Sequence, residues 1–98
     1  MKEIKTIPVE QFCGLYNVPS SFIDSLYEYD FIEIVLEDDE VKYIDESQIV
    51  TIEKLIRLHY DLDINFEGLD VITNLIKQLE EAQKEIIRLR NRLDFYER

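Results

Sequence analysis

The last third of the chain places the strongest limit on what this protein can fold into. From Ile72 to Tyr96, apolar residues recur in alternating steps of three and four, which is the heptad pattern of a coiled coil. The segment contains no proline, and no glycine follows Gly68. We therefore predict one long helix over residues 65–98, in which roughly thirty helical residues span about 45 Å.

The apolar stripe on this helix needs a second surface to cover it. The remaining residues, 1–64, form a head that is too small to reach along its whole length. The simplest cover is the same helix in a second copy, so the sequence predicts a homodimer through a coiled coil beyond about Leu79. The alternative is a chain that folds back on itself, but the sequence offers no segment for that contact. The predicted dimer interface consists of Leu79, Ala82, Ile86, Leu89, Leu93 and Tyr96.

Two short amphipathic helices are predicted at the start of the head. The apolar residues of the first have helical spacing and are Val9, Phe12, Cys13 and Tyr16. Asn17 is its predicted end, because asparagine tolerates the left-handed conformation. The second helix begins at Ser20 or Ser21, whose hydroxyls can cap backbone N–H groups. Its predicted apolar face consists of Phe22, Ile23, Leu26 and Tyr27. Two such helices joined by a tight turn predict a helix-turn-helix.

The spacing of apolar residues changes from helical to alternating in the stretch FIEIVLEDDEVKYI. Apolar residues alternate on both sides of EDDE, which predicts a β-hairpin with its turn near Asp38 and Asp39. We call this hairpin the wing. Asp45 followed by Gln48 resembles a capping box and predicts a third helix that continues through about Leu62. The predicted buried face of that helix is Ile49, Ile52, Leu55, Ile56 and Leu62.

The stretch RLHYDLDINFEG, residues 57–68, joins the third helix to the long one. It holds the single histidine, His59, close to Asp61 and Asp63, so a metal site is one interpretation. However, His59 lies on the same helical row as Ile56, at the rim of an apolar face. That position favours a packed or hydrogen-bonded structural histidine.

Composition restricts the class of protein. A hydrophobic fraction of 46% beside a charged fraction of 34% is typical of a folded domain with a strongly charged surface. The one cysteine, Cys13, cannot form an internal disulfide, and on an apolar helix face its thiol behaves as a small hydrophobe. We expect no metal, no cofactor and a cytoplasmic location, because the sequence shows no signal peptide and no apolar run of membrane-spanning length.

The net charge of −11 is concentrated in the first half of the chain. Residues 1–50 carry twelve acidic and three basic side chains, a net of −9, whereas residues 51–98 carry ten and eight, a net of −2. An acidic field of this kind repels phosphate backbones and attracts basic protein surfaces.

The order of these elements resembles the MerR-like DNA-binding architecture. The segment EKLIRLHYDLDINFEGLDVITNLIKQLEEAQKEI is also similar to the corresponding segment of the CbpM chaperone-modulator family. The matching positions are Arg57, Leu58, His59, Asp61, Leu62, Ile64, Asn65, Gly68, Ile72 and Leu75. The early stretches VEQFC and VPSSFIDSLYEYDFI match the family's first helices in layout. The resemblance implies a mainly α fold with a small β-hairpin, in which a MerR-like winged helix-turn-helix head precedes a long C-terminal coiled-coil helix.

The chain departs from the family pattern at two positions. Asp63 lies in the stretch between the third helix and the long helix, which we call the joint, at a position where glycine is frequent in the family. Asp30 lies at the turn that precedes the wing. Aspartate tolerates left-handed geometry better than most residues, so we expect the fold to be kept.

The resemblance implies a non-enzymatic protein that binds the J-domain of a DnaJ-like co-chaperone, CbpA. Such a protein restrains both the co-chaperone's work with the Hsp70 chaperone DnaK and its binding to DNA. J-domains present a basic helical face to Hsp70, and the acidic head is complementary to it. The candidate partner-binding residues are Asp24, Tyr27, Glu28, Asp30, Glu37, Asp38, Asp39 and Glu40. Further aromatic candidates are Tyr29, Phe31 and Tyr43.

A MerR-like DNA-binding transcriptional regulator is the main alternative. Recognition helices of that class place Arg, Lys or Asn on base edges, among phosphate contacts. The stretch SSFIDSLYEYD contains no Arg or Lys, and Lys42 is the single basic residue of the wing. An enzyme is the third class, but the sequence contains no glycine-rich phosphate loop and no nucleophile motif.

Overall fold

A computed structural model describes residues 5–38 and 40–97 of the chain. These residues form four α-helices and a small three-stranded antiparallel sheet, so the predicted fold class is confirmed. The chain contains two compact units, Met1–Phe66 and Glu67–Arg98, which we call the N-terminal unit and the C-terminal unit.

The sheet has the strand order β1-β3-β2. Its strands are β1 (Thr6–Pro8), β2 (Val35–Leu36) and β3 (Lys42–Asp45). The antiparallel pairing of β2 with β3 confirms the predicted wing. Strand β1 was not predicted, because three residues are too few to show a period. It places Ile7 opposite Ile44, whose side chain is fully buried.

The wing turns sharply between β2 and β3. The Glu40 N–H donates to the Glu37 carbonyl at 2.9 Å, and the Glu37 N–H donates to the Val41 carbonyl at 3.2 Å. Glu40 has a φ of 61°, so a residue with a side chain occupies the left-handed region here. The turn lies at Asp38, as predicted. The other predicted turn residue, Asp39, lies outside the described residues.

The helix-turn-helix consists of α1 (Val9–Tyr16) and α2 (Ser20–Glu28). Asn17 ends α1 with a φ of 55°, which confirms the predicted left-handed end. The next residue, Val18, is buried and donates its N–H to the Cys13 carbonyl at 3.1 Å. The turn between the helices therefore satisfies a carbonyl at the end of α1 and adds an apolar residue to the core.

Two expectations about α2 were wrong. No side chain caps its first turn, because Ser20 is already helical and Pro19 occupies the capping position. Tyr27 is 52% exposed, although it was assigned to the apolar face. The buried face is narrower than predicted and consists of Phe22, Ile23 and Leu26.

Helix α3 (Ile49–Ile56) begins after a short 3₁₀ turn, Glu46–Gln48. The Asp45 carboxylate accepts the N–H two residues later at 3.0 Å, as a capping aspartate should. The second half of the predicted capping box is absent, because the Gln48 amide bonds elsewhere. It accepts the Glu33 N–H at 2.7 Å and donates to the Glu33 carbonyl at 2.8 Å, which joins the start of the wing to the start of α3.

The third helix is shorter than predicted. After Ile56 the backbone widens into a single π-helical turn, Arg57–Asp61, in which the Leu62 N–H donates to the Arg57 carbonyl at 3.2 Å. Leu62 is 64% exposed, so its assignment to the buried face was wrong. Asp63 then has a φ of 56°, which confirms that aspartate can occupy the left-handed position of the joint.

The core of the N-terminal unit draws on every helix that precedes the joint and on the sheet. Its buried side chains are Val9, Phe12, Cys13, Val18, Phe22, Ile23, Leu26, Ile32, Ile44, Ile52 and Leu55. Helix α4 (Phe66–Glu97) follows the joint and supplies nearly all of the C-terminal unit. Every residue from Asn74 to Glu97 is exposed.

Gly14 lies inside α1 without a steric reason to be glycine. A Cβ at this position would meet no atom within 4 Å, and Gly14 does not have a positive φ. Gly14→Ala is therefore expected to raise the free energy of unfolding by about 0.5–1 kcal/mol, because alanine loses less backbone entropy on folding. Urea denaturation of both chains tests this, with Gln11→Ala on the exposed side of the same helix as the control. A destabilising Gly14→Ala would contradict the expectation.

Candidate protein-interaction surface

Helix α2 presents an acidic face beside its buried face. Asp24, Tyr27 and Glu28 have i, i+3 and i+4 spacing and therefore lie on one side of the helix. Tyr27 and Glu28 are exposed, and Asp24 is half-buried. The fold thus brings these three predicted partner-binding residues onto one surface.

Two of the predicted acidic residues meet at a groove between the start of α1, helix α2 and the start of β3. The groove has a volume of about 350 Å³. Its lining residues are Pro8, Val9, Glu10, Ser20, Asp24, Glu40, Val41 and Lys42. Glu10 was not predicted to belong with Asp24 and Glu40. No spacing in the sequence could reveal this, because the three residues come from three different elements.

The single basic residue of the wing is already paired within this groove. The Lys42 Nζ lies 3.5 Å from the Asp24 Oδ1, and both side chains are about half exposed, at 54% and 46%. An ion pair at such a site contributes at most about 1 kcal/mol. Its more important effect is to place the one cation of the wing beside a carboxylate.

Glu37 and Asp38 are not among the residues that line this groove. They line a shallow depression with Thr6 and Tyr43. Asp30 has a backbone role, since its φ of 63° places it in the left-handed region directly after α2. Four of the predicted acidic residues therefore line two depressions, which adjoin at the wing turn, where the Glu40 N–H donates to the Glu37 carbonyl.

Aromatic side chains of the N-terminal unit gather around Phe22. The ring of Phe22 lies 5.2 Å from the rings of His59 and Tyr60 and 6.0 Å from that of Phe66. Tyr29 stacks on Phe66 at 5.4 Å and therefore belongs to the same cluster. Among the aromatic candidates for partner binding, Tyr27 is the most exposed.

His59 has the structural role that its position in the sequence favoured. Its Nδ1 lies 2.8 Å from the Ile64 carbonyl oxygen, and a carbonyl can only accept, so Nδ1 is the donor. The imidazole ring also stacks on Phe66 at 4.8 Å. These contacts link the π-helical turn to the residues of the joint that follow it. Within residues 5–38 and 40–97, no three His, Cys, Asp or Glu side chains are grouped as metal ligands.

Cys13 is buried among the core residues, as predicted. Burial raises the pKa of its thiol above the ordinary value, and the negative charges of Asp24 and Glu10 raise it further. The thiolate is the reactive form, so Cys13 is poorly suited to nucleophilic chemistry at neutral pH.

The residues predicted for the dimer interface all lie exposed on α4. Leu79, Ile86, Leu89 and Leu93 are each more than half exposed. No helix in the described part of the chain is both long enough and apolar enough to cross a membrane. Charged residues lie between the apolar residues along the sequence of α4, but none occupies a position of the apolar stripe itself.

Comparison with known proteins adds a family to this architecture. The chain matches the family described as MerR HTH family regulatory protein over residues 7–91. Neither the curated proteins nor the solved structures yielded a match. The matched residues begin in β1 and include the helix-turn-helix, the wing, the joint and most of α4. The chain therefore belongs to the MerR HTH family of regulatory proteins.

Proposed function

We propose that this MerR-family regulator acts by binding a protein and that it is not an enzyme. Its proposed partner is the J-domain of a CbpA- or DnaJ-like co-chaperone, whose activity with DnaK and whose DNA binding it would inhibit. The J-domain part of the proposal rests on the resemblance to the CbpM family. The acidic surface described above supports the more general part, binding to a basic protein surface.

One observation carries the preference for a protein partner over DNA. In a helix-turn-helix protein, the second helix is the one that enters the major groove. Here that helix is α2, which carries Asp24 and Glu28 and contains no Arg or Lys. Lys42 on the wing is paired with Asp24. Phosphate contacts supply much of the affinity for DNA, and these elements would oppose rather than favour them.

Membership of a helix-turn-helix family favours a second candidate, a regulator that binds DNA. The two candidates differ in the sign of the charge that their ligands present. A J-domain with a basic face should bind more weakly as carboxylates are removed from the N-terminal unit. The affinity for duplex DNA should stay the same or increase when those carboxylates are removed, because repulsion of the phosphates is reduced.

The proposal also includes a homodimer formed through α4. The long run of exposed apolar residues between Asn74 and Glu97 supports it. Large exposed apolar patches on a soluble protein usually mark an interaction site, and heptad spacing places these residues along one side of the helix. A dimer would carry two acidic N-terminal units.

Titration of a purified CbpA-type J-domain against the full chain, at low and at moderate salt, tests the function. The test variant neutralises three exposed carboxylates of the N-terminal unit: Glu28→Gln, Glu37→Gln and Glu40→Gln. We expect its association rate at low salt to fall about 10-fold, because complementary charges steer the encounter. The matched control removes the same charge from α4: Glu80→Gln, Glu81→Gln and Asp94→Asn. The control variant should retain the rate of the natural chain.

Three results would contradict the proposal in different ways. Absence of J-domain binding removes the chaperone role. Equal effects of the two triple variants remove the electrostatic docking surface. Binding of duplex DNA at physiological salt that depends on residues 19–43 establishes the second candidate instead.

A further inference from the structure

Four aromatic rings of the N-terminal unit follow one another in nearly parallel planes. The centroid of the Tyr29 ring lies 6.0 Å from that of Phe31, with an angle of 7° between the rings, and 5.4 Å from that of Phe66, with an angle of 21°. The Phe66 ring in turn lies 4.8 Å from the His59 ring at 27°. We call the rings of Phe31, Tyr29, Phe66 and His59 the aromatic row.

Part of the aromatic row is exposed to solvent. Tyr29 is 41% exposed, and the other three members are half-buried. Tyr60, whose ring meets that of His59 edge-on at 4.8 Å, is 47% exposed. Tyrosine combines a large apolar ring with a polar end, and partly exposed tyrosines are frequent binding hot spots. The aromatic row is therefore a candidate binding surface.

The two chain segments that supply the row are held by hydrogen bonds. The Phe31 N–H donates to the Leu26 carbonyl at 2.9 Å, directly after the left-handed turn at Asp30. In the other segment, the His59 Nδ1 donates to the Ile64 carbonyl at 2.8 Å. A ligand that binds to an ordered surface loses less affinity to the ordering of side chains and loops.

Carboxylates accompany the aromatic residues in both of these segments, 28–31 and 57–66. They are Glu28, Asp30, Asp61 and Asp63, and all four are exposed. The two segments together carry these four acidic side chains and one basic one, Arg57, a net of −3 with the histidine neutral. A ligand for this surface is therefore expected to carry positive charge.

Arginine fits this combination of rings and carboxylates better than the other cationic side chains do. Its guanidinium group is planar and weakly hydrated, so it can lie against an aromatic ring while its N–H groups donate to a carboxylate. The ammonium group of lysine is a compact and strongly hydrated point charge. An uncharged apolar side chain would gain nothing from the carboxylates.

We propose that the aromatic row binds an arginine side chain of a partner protein, with the guanidinium group against the exposed part of the Tyr29 ring and the Asp30 carboxylate accepting from it. This inference rests on the more general part of the proposed function, binding to a basic protein surface. It adds a ring contact to the attraction between charges. The ring contact selects arginine, whereas charge alone attracts any cation.

Short synthetic peptides test the proposal without the natural partner. The probes are octapeptides in which glycine alternates with arginine, with lysine or with citrulline, which keeps the shape of arginine but is uncharged. NMR titration of the full chain, with isotope-labelled tyrosine and phenylalanine, measures the dissociation constants and identifies the affected rings. We expect the arginine peptide to bind about 3-fold more tightly than the lysine peptide and about 10-fold more tightly than the citrulline peptide. The signals of Tyr29 and Phe66 should shift most.

Two pairs of variants locate the contact. Tyr29→Leu keeps apolar bulk but removes the ring, and it should weaken binding of the arginine peptide about 5-fold. Its matched control is Tyr16→Leu, because Tyr16 is 37% exposed and stacks on Phe12 at 4.4 Å, outside the aromatic row. Asp30→Asn should weaken binding about 3-fold at low salt, and asparagine also tolerates the left-handed φ of 63°. Asp94→Asn makes the same change at an exposed position on α4 and should have no effect.

Several results would overturn the arginine site. These are equal binding of the arginine and lysine peptides, equal binding of the arginine and citrulline peptides, and equal effects of Tyr29→Leu and Tyr16→Leu. Absence of ring shifts with the arginine peptide would overturn it as well. Titration of the J-domain separates this inference from the proposed function. A J-domain that does not bind, while the arginine peptide does, would remove the chaperone role and keep the arginine site. A J-domain that binds Tyr29→Leu as tightly as the natural chain would overturn the role of the aromatic row in that complex.

Discussion

Phe22→Ala is expected to lower the free energy of unfolding of this protein by about 3–5 kcal/mol, the usual cost of deleting a buried aromatic ring. The ring of Phe22 is 3% exposed and lies within 6.0 Å of the rings of His59, Tyr60 and Phe66. Alanine at this position removes the centre of the aromatic cluster, and the rigid helix cannot collapse to fill the space. A loss of this size is a large part of the stability of a small domain.

Urea denaturation followed by near-ultraviolet circular dichroism measures this effect, because that signal reports the packed aromatic rings. Protein concentration must be held constant, since any association of the chain would contribute to its apparent stability. Tyr27→Ala is the matched control, an aromatic residue on the same helix that is 52% exposed. Its expected cost is below about 1 kcal/mol. Similar losses for the two variants would show that the packing around Phe22 is not what stabilises the N-terminal unit.

Ile86→Glu is expected to raise the dissociation constant of the proposed dimer at least about 100-fold. Ile86 lies on the apolar heptad stripe that forms the predicted dimer interface, so association would bury a carboxylate from each copy, at a cost of several kcal/mol per charge. Sedimentation equilibrium of the full chain measures the change. The substitution should leave the N-terminal unit intact, because Ile86 lies in the C-terminal unit.

The neighbouring residue provides a demanding control. Ile86 and Ile87 are 51% and 58% exposed, so exposure does not distinguish them. Only the heptad pattern distinguishes them, because Ile86 lies on the apolar stripe and Ile87, the next residue along the helix, lies beside it. Ile87→Glu should therefore retain the dimer. Equal disruption by both substitutions would refute the assigned heptad stripe, and a stable Ile86→Glu dimer would refute association through this face.

The existence of the helices was largely predictable because its causes are local. Helical spacing correctly predicted that Val9, Phe12 and Cys13 of α1 are buried, although Tyr16 on the same predicted face is 37% exposed. Asn17 and Asp63 adopt the left-handed conformation that their side chains tolerate. The errors arose where a residue's neighbours come from elsewhere in the chain. Gln48 satisfies the backbone of Glu33 instead of completing a cap, a contact across fifteen residues. Leu62 has the spacing of a buried residue, but the π-helical turn moves it out of phase.

Sequence alone determined the long heptad helix, the helix-turn-helix, the wing and the concentration of negative charge in the first half of the chain. Periodicity and local backbone preference depend only on residues close together in the sequence, and the charge balance depends only on composition. The tertiary structure decided which carboxylates become neighbours. It brought Glu10, Asp24 and Glu40 to one groove and paired Asp24 with Lys42, whereas Glu37 and Asp38 line a second depression. These relations depend on how α1, α2 and the wing pack together, because side chains distant in sequence meet only when a shared core fixes their elements.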